Sequence, residues 1–228
     1  MFRKPLSPSH PVMVKAEFHC HTCYSKDSLL SIQDLLITCQ SKGLQRVVIT
    51  DHNDIQGAVE ANALDPHRFI VGEEIMTQQG ELLGYFLKEQ VQAGLSPMET
   101  IKILRSQGAF ISVSHPFDDF RSGHWSSENL MNIVPYIDAI EVFNSRCLFR
   151  RFNTRAKNFA QEHALLGTVG SDSHYAGEVG SATLSLPDFN DAASLKDALA
   201  TAQPHLKLSS PWVHFYSRQA AWQKKGVS

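Results

Sequence analysis

The 228-residue sequence predicts a single α/β domain in which parallel strands form a closed or nearly closed barrel. Three observations predict it. Short apolar, β-rich segments alternate with amphipathic helical segments, a pattern typical of parallel sheets. About seven such repeats occur in a chain of the length at which barrels commonly form one domain, roughly 200–250 residues. Neither G-x-G-x-x-G nor G-x-x-x-x-G-K-[ST] follows a predicted strand, which disfavours a nucleotide-binding sheet.

The predicted strands are short apolar runs of the kind that is buried on both faces. They cover 14–20, 46–50, 68–72, 82–87, 109–114, 137–143 and 165–170, with a further candidate at 181–186.

The predicted helices carry apolar residues at helical spacing. The clearest one begins after Ser96, because Pro97 suits the first turn and Glu99 completes a capping box. In chain order the predicted helices cover 31–42, 55–63, 97–107, 127–133, 153–164 and 191–202.

The chain ends differ in composition from this repeating region. Three prolines predict an extended arm over 1–13, the barrel domain covers 14–210, and an aromatic-rich tail covers 211–228. The arm lacks the apolar segment of a secretory signal, and four cysteines in so long a chain indicate reduced thiols, so we expect a cytoplasmic protein.

Composition excludes several classes of protein. Apolar residues make up 43% of the chain and the net charge is -2, which is too apolar and too nearly neutral for a disordered chain. The same charge argues against binding of long duplex nucleic acid, since that binding needs many cations. No apolar run approaches the roughly 18 residues that span a membrane, so no membrane partner is expected.

Metal-type ligands follow the predicted strands at their carboxyl ends, where α/β barrels place catalytic residues. His19 and His21 end the first strand and share one face, because side chains alternate along a strand, whereas Cys20 points among the helices. Five of the eleven histidines follow this pattern, with acids beside them. The residues at or just after strand ends are His19, His21, Asp27, Asp51, His52, Glu73, Glu74, His115, Glu141, Asn144, Asp172 and His174.

This combination of imidazole and carboxylate suits zinc, iron or manganese better than calcium or magnesium alone. Cysteine is absent from the pattern apart from Cys20 and Cys23 nearby. The sequence therefore predicts a catalytic, water-bearing metal cluster rather than a closed structural site.

The ordered motifs F-H-C-H-T-C-Y-S-K-D-S, I-T-D-H-N, S-H-P-F-D and G-S-D-S-H resemble those of the PHP (polymerase and histidinol phosphatase) family over about 14–186. The resemblance implies a distorted (β/α)7 TIM-like barrel. It also implies a metal-dependent phosphoesterase with two or three divalent transition metals, Zn, Mn or Fe, at the mouth of the barrel.

The resemblance also implies a ligand set. One metal takes His19, His21, Glu74 and Asp172; a second shares Glu74 and adds His115; a third takes Asp27, His52 and His174. The family pattern selects Glu74 over Glu73. Where many relatives have a histidine this chain has Glu81, so the second metal is bound weakly, bound by Glu81, or missing.

The hypothesised reaction uses a metal-activated hydroxide that attacks phosphorus in line, while the metals hold the phosphoryl oxygens. Arg121 and Arg146 follow strand ends and are the candidates for binding a phosphate oxygen, because a guanidinium fork matches that geometry. Asp51, Glu141 and Asn144 are expected to orient the metal ligands.

Three substrates remain open: a small phosphorylated metabolite, a nucleotide carrying two phosphates, or the end of a short oligonucleotide. Two other classes also remain. One is a metal-dependent amidohydrolase, although no strand-end lysine suits its usual bridging group. The other is a metal-binding PHP-like protein without catalysis, which a nearly complete ligand set disfavours. The sequence leaves the oligomeric state open.

Overall fold

The computed structural model of the protein describes residues 11–225, so most of the predicted arm over 1–13 lies outside the described residues. The helices are α1 Ile32–Lys42, α2 Gln56–Leu64, α3 Pro97–Ser106, α4 Ser127–Ile133, α5 Arg150–Glu162, α6 Ala192–Leu199 and α7 Val213–Lys225. The strands are β1 Met13–Cys20, β2 Arg46–Ile49, β3 Phe69–Met76, β4 Glu81–Tyr85, β5 Phe110–Val113, β6 Ala139–Asn144, β7 Leu166–Gly170, β8 Ala182–Pro187 and β9 Gln203–Leu206.

Side-chain caps fix where two of the predicted helices begin. The Ser31 hydroxyl accepts a hydrogen bond from the Asp34 backbone at the start of α1, and Gly43 ends that helix with a φ of 65°. Ser96 and Glu99 form the predicted capping box at the start of α3. These contacts satisfy backbone groups that have no partner inside the helix.

The strands form a nine-stranded sheet in the order β7-β6-β5-β4-β3-β2-β1-β8-β9. Pairing is parallel for β1–β2, β2–β3, β5–β6 and β6–β7, as the repeat pattern predicts. The prediction of parallel pairing is wrong for β4, which runs antiparallel to both β3 and β5. The turn between β3 and β4 is too short for the crossover that a parallel pair needs. The start of β4, at Glu81, therefore lies at the same edge as the carboxyl ends of its neighbours.

The barrel is nearly closed at this edge. The Asp172 backbone N–H donates to the His19 carbonyl (2.8 Å), and the His21 N–H donates to the Ser173 carbonyl (2.9 Å). The segment after β7 thus pairs with the end of β1, while the first half of β1 pairs antiparallel with β8. The predicted α/β TIM-like barrel is confirmed.

A bulge in β1 re-aims its last residues. Its register with β2 shifts between Glu17 and Cys20. Phe18, within the shifted segment, belongs to the buried cluster that contains Phe110, whereas Cys20 packs in another cluster with Cys39 of α1. Bulges of this kind commonly redirect side chains beside active sites.

Within residues 11–225, one strand and one α-helix have no counterpart among the predicted elements: β9 and α7. All four residues of β9 are exposed, so this edge strand shows no apolar alternation. The helix α7 occupies most of the predicted tail and lies against the carboxyl edge of the barrel, where Ser217 contacts Arg146. Among residues 11–225, no helix is both long enough and apolar enough to cross a membrane.

Candidate metal centre

The carboxyl edge of the sheet gathers the side chains that the sequence singled out as metal ligands into one continuous cluster. Three groups within it place one ligand atom per residue within 4.8 Å of one another. These groups are His19, His21 and Asp172; His21, His52 and His174; and His52, Glu74 and Glu81.

The first group matches the ligands predicted for one metal. The Nε2 atoms of His19 and His21 lie 3.1 Å apart. Asp172 Oδ1 lies 3.2 Å from His21 Nε2 and 3.8 Å from His19 Nε2. Glu74 Oε2 lies 3.3 Å and 3.4 Å from the same two nitrogens. Four donor atoms from three separate strand ends therefore converge on one position.

Glu74 also faces a second position through its other oxygen. His115 Nε2 lies 3.1 Å from Glu74 Oε1 and 3.6 Å from Glu81 Oε2. Glu81 reaches this position because β4 is antiparallel and begins at the mouth. The arrangement places Glu74 between two groups of donors, as expected of a bridging ligand, and places Glu81 beside His115.

The third predicted set, Asp27, His52 and His174, lies at the open side of the cluster. Asp27 Oδ2 lies 3.3 Å from His174 Nε2, and Asp27 Oδ1 lies 3.7 Å from His52 Nε2. His52 also turns Nδ1 toward Glu74 Oε2 at 3.0 Å. The ring of His21, a member of the first group, packs against this set, and its centroid lies 4.4 Å from that of His52 and 4.3 Å from that of His174.

Buried atoms without a partner test whether these residues fit a metal. Most buried polar atoms in proteins have a hydrogen-bond partner, and leaving one unsatisfied costs about 1–3 kcal/mol. The cluster holds six that lack one. His115 Nδ1 is one of them, and the other five are Asp27 Oδ1, Glu74 Oε2, His115 Nε2, Asp172 Oδ1 and His174 Nε2. These other five are nitrogen or carboxylate oxygen atoms that turn toward the donor groups described above. The residues present therefore fit divalent cations, which would satisfy these atoms together.

Electrostatics keep the carboxylates of the cluster ionised. Burial acts to raise the pKa of Asp172, but Arg121 and His19 hold it well below its usual range. Burial likewise opposes ionisation of Glu74, whose pKa is nevertheless lowered by His19 and His52. Both carboxylates are thus available as charged ligands near neutral pH.

The histidines divide between two protonation states. Burial would lower the pKa of His52, but Glu74 and Asp27 raise it to about 9. The pKa of His19 rises well above its usual value for the same kind of reason, since Glu74, Glu141 and Asp172 outweigh its burial. Burial and the neighbouring His174 and His52 instead lower the pKa of His21.

Glu141 and Asn144, two of the predicted orienting residues, contact the ligands directly. Glu141 Oε1 lies 3.0 Å from His19 Nδ1, and its other oxygen accepts from the His115 backbone N–H at 2.8 Å. Asn144 Nδ2 donates to Asp172 Oδ2 at 3.1 Å. These bonds fix which atom of each ligand faces the centre.

Asp51 is connected to the cluster through Ser25. It accepts from the Thr22 backbone N–H (2.6 Å) and from the Ser25 hydroxyl (2.6 Å). The Ser25 oxygen in turn lies 3.1 Å from His21 Nδ1. The sequence analysis missed Ser25 and also Ser114, whose hydroxyl donates to Glu74 Oε1. Both serines could have been found from their position in the sequence, since each lies within a motif that supplies a histidine.

The two arginines predicted to bind phosphate both lie at the site but already hold protein partners. Arg121 Nη2 lies 2.6 Å from Asp172 Oδ2. Arg146 is buried, contacts His174 Nδ1, and donates to the Ser217 hydroxyl at 2.7 Å. Their predicted role toward substrate stays a prediction.

A cavity of about 600 Å³ opens beside the third predicted set of ligands. Asp27, His52 and His174 line it together with both arginines discussed above. Its other wall comes from α7, which contributes His214 and Arg218. His214 is one of the six histidines that lie outside the strand-end pattern, so the sequence did not point to it.

Known proteins place this chain in a family. A family model of the PHP domain matches residues 17–104, and a PHP-associated model matches residues 150–204. An uncharacterized protein of Methanocaldococcus jannaschii is 33% identical over 181 residues, which cover 78% of this chain and 72% of that protein.

Solved structures share the fold at low identity. One is a two-domain protein from Bacteroides vulgatus named for a predicted PHP-like metal-dependent phosphoesterase, with a TM-score of 0.65 and 16% identity over 92% of this chain and 70% of that one. Another is PsfC from Pseudomonas syringae, with a TM-score of 0.67 and 16% identity over 95% of this chain and 99% of that one. Together with the motifs and the barrel, these matches show that the chain belongs to the PHP family.

Proposed function

We propose that this protein is a metal-dependent phosphoesterase that hydrolyses phosphate monoesters or diesters. The observation that carries the proposal is the convergence of buried, partly unsatisfied nitrogen and oxygen atoms on Glu74, whose two oxygens face separate donor groups. The name of the Bacteroides vulgatus protein supports the same class of reaction. The donor set favours zinc, manganese or iron.

The cluster provides places for more than one cation. His19, His21, Asp172 and Glu74 would hold one; Glu74, His115 and Glu81 would hold a second; and Asp27, His52 and His174 would hold a third. When bound, such cations supply an activated water and offset the negative charge of the phosphoryl group.

The protein's own residues prepare the site for that chemistry. Glu141 holds His19 with Nε2 turned toward the other donors, and Asn144 holds one oxygen of Asp172 so that the other faces His21. Arg121 pairs with Asp172 and also lines the cavity, so its guanidinium is placed to contact an anionic substrate. Such pre-positioned groups lower the reorganisation that the reaction requires.

The cavity indicates the size of the substrate. Its volume of about 600 Å³ falls within the range of small-molecule sites, roughly 300–1,000 Å³. We propose a small phosphorylated metabolite, a nucleotide or the end of a short oligonucleotide as the substrate.

A substrate panel tests the proposal. Protein treated with a chelator and reloaded with Mn²⁺ or Zn²⁺ is offered p-nitrophenyl phosphate, bis(p-nitrophenyl) phosphate and a p-nitroanilide. We expect metal-dependent release of p-nitrophenol from a phosphate ester and no release of p-nitroaniline from the anilide. Cleavage of the anilide alone would assign an amidohydrolase. Metal binding with no cleavage of any substrate would favour a non-catalytic role.

A further inference from the structure

The helix α7 is a part of the mouth that neither family match covers, since those matches end at residue 204 and α7 begins at Val213. It nevertheless forms one wall of the cavity beside His52 and His174. Whatever α7 contributes to binding is therefore a property of this chain rather than of the matched family pattern.

Contacts on two sides hold α7 in place over the mouth. Near its start, the Ser217 hydroxyl accepts from Arg146 Nη2 at 2.7 Å. Near its end, Lys224 Nζ donates to the carbonyls of Cys23 (2.5 Å) and Ser25 (2.6 Å), in the loop that follows β1. The helix is thus tied to loops that carry metal-ligand side chains, and side chains on its inner face have a defined position relative to the cluster.

Two cations in this cavity differ from the others in having no acidic partner. Lys26 and Arg218 both line the cavity and are exposed, and within residues 11–225 neither lies within ion-pair distance of a carboxylate. By contrast, Arg121 pairs with Asp118 and Asp172. Lys26 and Arg218 come from opposite ends of the sequence, yet they line the same small space.

Lys26 and Arg218 make the potential of this part of the cavity more positive, and a positive potential attracts an anion. A guanidinium fork and an ammonium group together suit a phosphate or carboxylate. Phe120 and Leu148 also line the cavity and offer apolar contacts to the organic part of a ligand. The cavity therefore combines a metal-ligand cluster, apolar surface and a separate pair of cations.

We infer that Lys26 and Arg218 form a second anion subsite, and that the substrate carries a second anionic group besides the phosphate ester that is cleaved. The inference rests on the proposed function for the identity of the cleaved bond. Phosphate and carboxylate share the chemistry that this subsite recognises, and the test below separates them.

The test compares three phosphate esters that share a four-carbon chain and differ in the group at its far end. They are butyl phosphate, 4-(phosphonooxy)butanoate and butane-1,4-diol bisphosphate. Phosphate release gives kcat/KM for each with the metal-loaded protein. We expect the wild type to prefer an ester with a second anionic group at the far end of its chain. Its kcat/KM should exceed that of butyl phosphate by at least about tenfold, as charge-assisted contacts allow. The variants Lys26→Gln and Arg218→Gln are expected to bring that ratio toward one, and Arg218→Lys to restore part of it. The matched control is Lys157→Gln, an exposed cation outside the cavity, which should leave the ratio unchanged.

A binding measurement separates this inference from the proposed function. Calorimetry compares butylphosphonate, 4-phosphonobutanoate and butane-1,4-bisphosphonate, which cannot be hydrolysed at the carbon–phosphorus bond. Suppose that a ligand with a second anionic group binds more tightly than butylphosphonate, and that Arg218→Gln abolishes this preference. That result supports the subsite even if no ester is turned over. Equal binding of all three, or a preference that survives both Gln variants, overturns the subsite even if the esters are cleaved. Tighter binding of butane-1,4-bisphosphonate would identify the second group as a phosphate, and tighter binding of 4-phosphonobutanoate would identify it as a carboxylate.

Discussion

His19 Nδ1 lies 3.0 Å from Glu141 Oε1, and both side chains are buried at the carboxyl edge of the barrel. A neutral imidazole that donates from Nδ1 to this carboxylate keeps the Nε2 lone pair free. That atom faces His21 Nε2 at 3.1 Å, a separation at which two nitrogen lone pairs repel unless a proton or a cation lies between them. The Glu141 contact therefore leaves His19 Nε2 as the nitrogen that faces the cluster.

The variant Glu141→Gln tests this arrangement. The amide keeps the size of the side chain but removes the charge that holds His19, so we expect metal affinity to fall by about 10–100-fold. Competition with a chelating dye measures the affinity. Glu128→Gln, at an exposed position in α4, serves as the control and should bind metal like the wild type. Unchanged affinity in Glu141→Gln would show that the contact plays no part in metal binding.

Gly170 leaves the room for that contact. A Cβ atom at this position would lie 2.3 Å from His19 Cβ and 2.4 Å from Glu141 Oε1. We expect Gly170→Ala to lower the free energy of unfolding by about 1–3 kcal/mol, as overpacking does, and to weaken metal binding as well. Denaturant unfolding and metal competition measure the two effects. Gly94→Ala is the comparison for metal affinity alone. Its Cβ would meet nothing within 4 Å, although its φ of 79° disfavours a side chain, and it should keep wild-type metal affinity.

Asp172, a proposed metal ligand, has an unusual backbone conformation. Its φ of 54° lies in the left-handed region, which asparagine and aspartate tolerate better than most residues. Asp172→Asn keeps the backbone while removing the charge, so we expect hydrolysis and binding at the first group to be lost. The metal-free variant should also lose about 3 kcal/mol of stability, because Arg121 and His19 lose their counter-charge. A wild-type rate in Asp172→Asn would refute its assignment as a ligand.

Glu81 occupies a position that depends on Gly123. A Cβ at Gly123 would lie 1.8 Å from Glu81 Oε2, so Gly123→Ala must displace that carboxylate. We expect Glu81→Gln and Gly123→Ala both to reduce the number or affinity of bound metals, whereas Glu81→His should retain the metal count. Metal analysis after gel filtration provides the comparison. If both variants hold as much metal as the wild type, Glu81 is not a ligand.

Strand-end motifs are local, and this explains why the cluster was predictable. His19 and His21 share a face through the alternation of a strand, and parallel strands bring their carboxyl ends together without further information. The place of Glu81 was harder to anticipate, because it depends on the direction of β4. Only the length of the turn before Glu81 distinguishes an antiparallel strand from another parallel one.

The contribution of α7 was hidden for a different reason. Its outward face carries Phe215 and Trp222 at high exposure, whereas Ser217 is buried and Arg218 lines the cavity. A helix whose large apolar residues face outward gives no pattern that points to a core. The partners of Arg146 were equally invisible, since Ser217 lies far from it in sequence.

Titration of the metal-free protein with Mn²⁺ or Zn²⁺, with hydrolysis of a phosphate ester followed at each step, tests the central claim most directly. The structure predicts that hydrolysis is absent without metal and reaches its maximum only when at least two equivalents are bound. Chelation should abolish it again. Hydrolysis that persists in the chelated protein, or two bound equivalents without cleavage of any phosphate ester, would contradict the account.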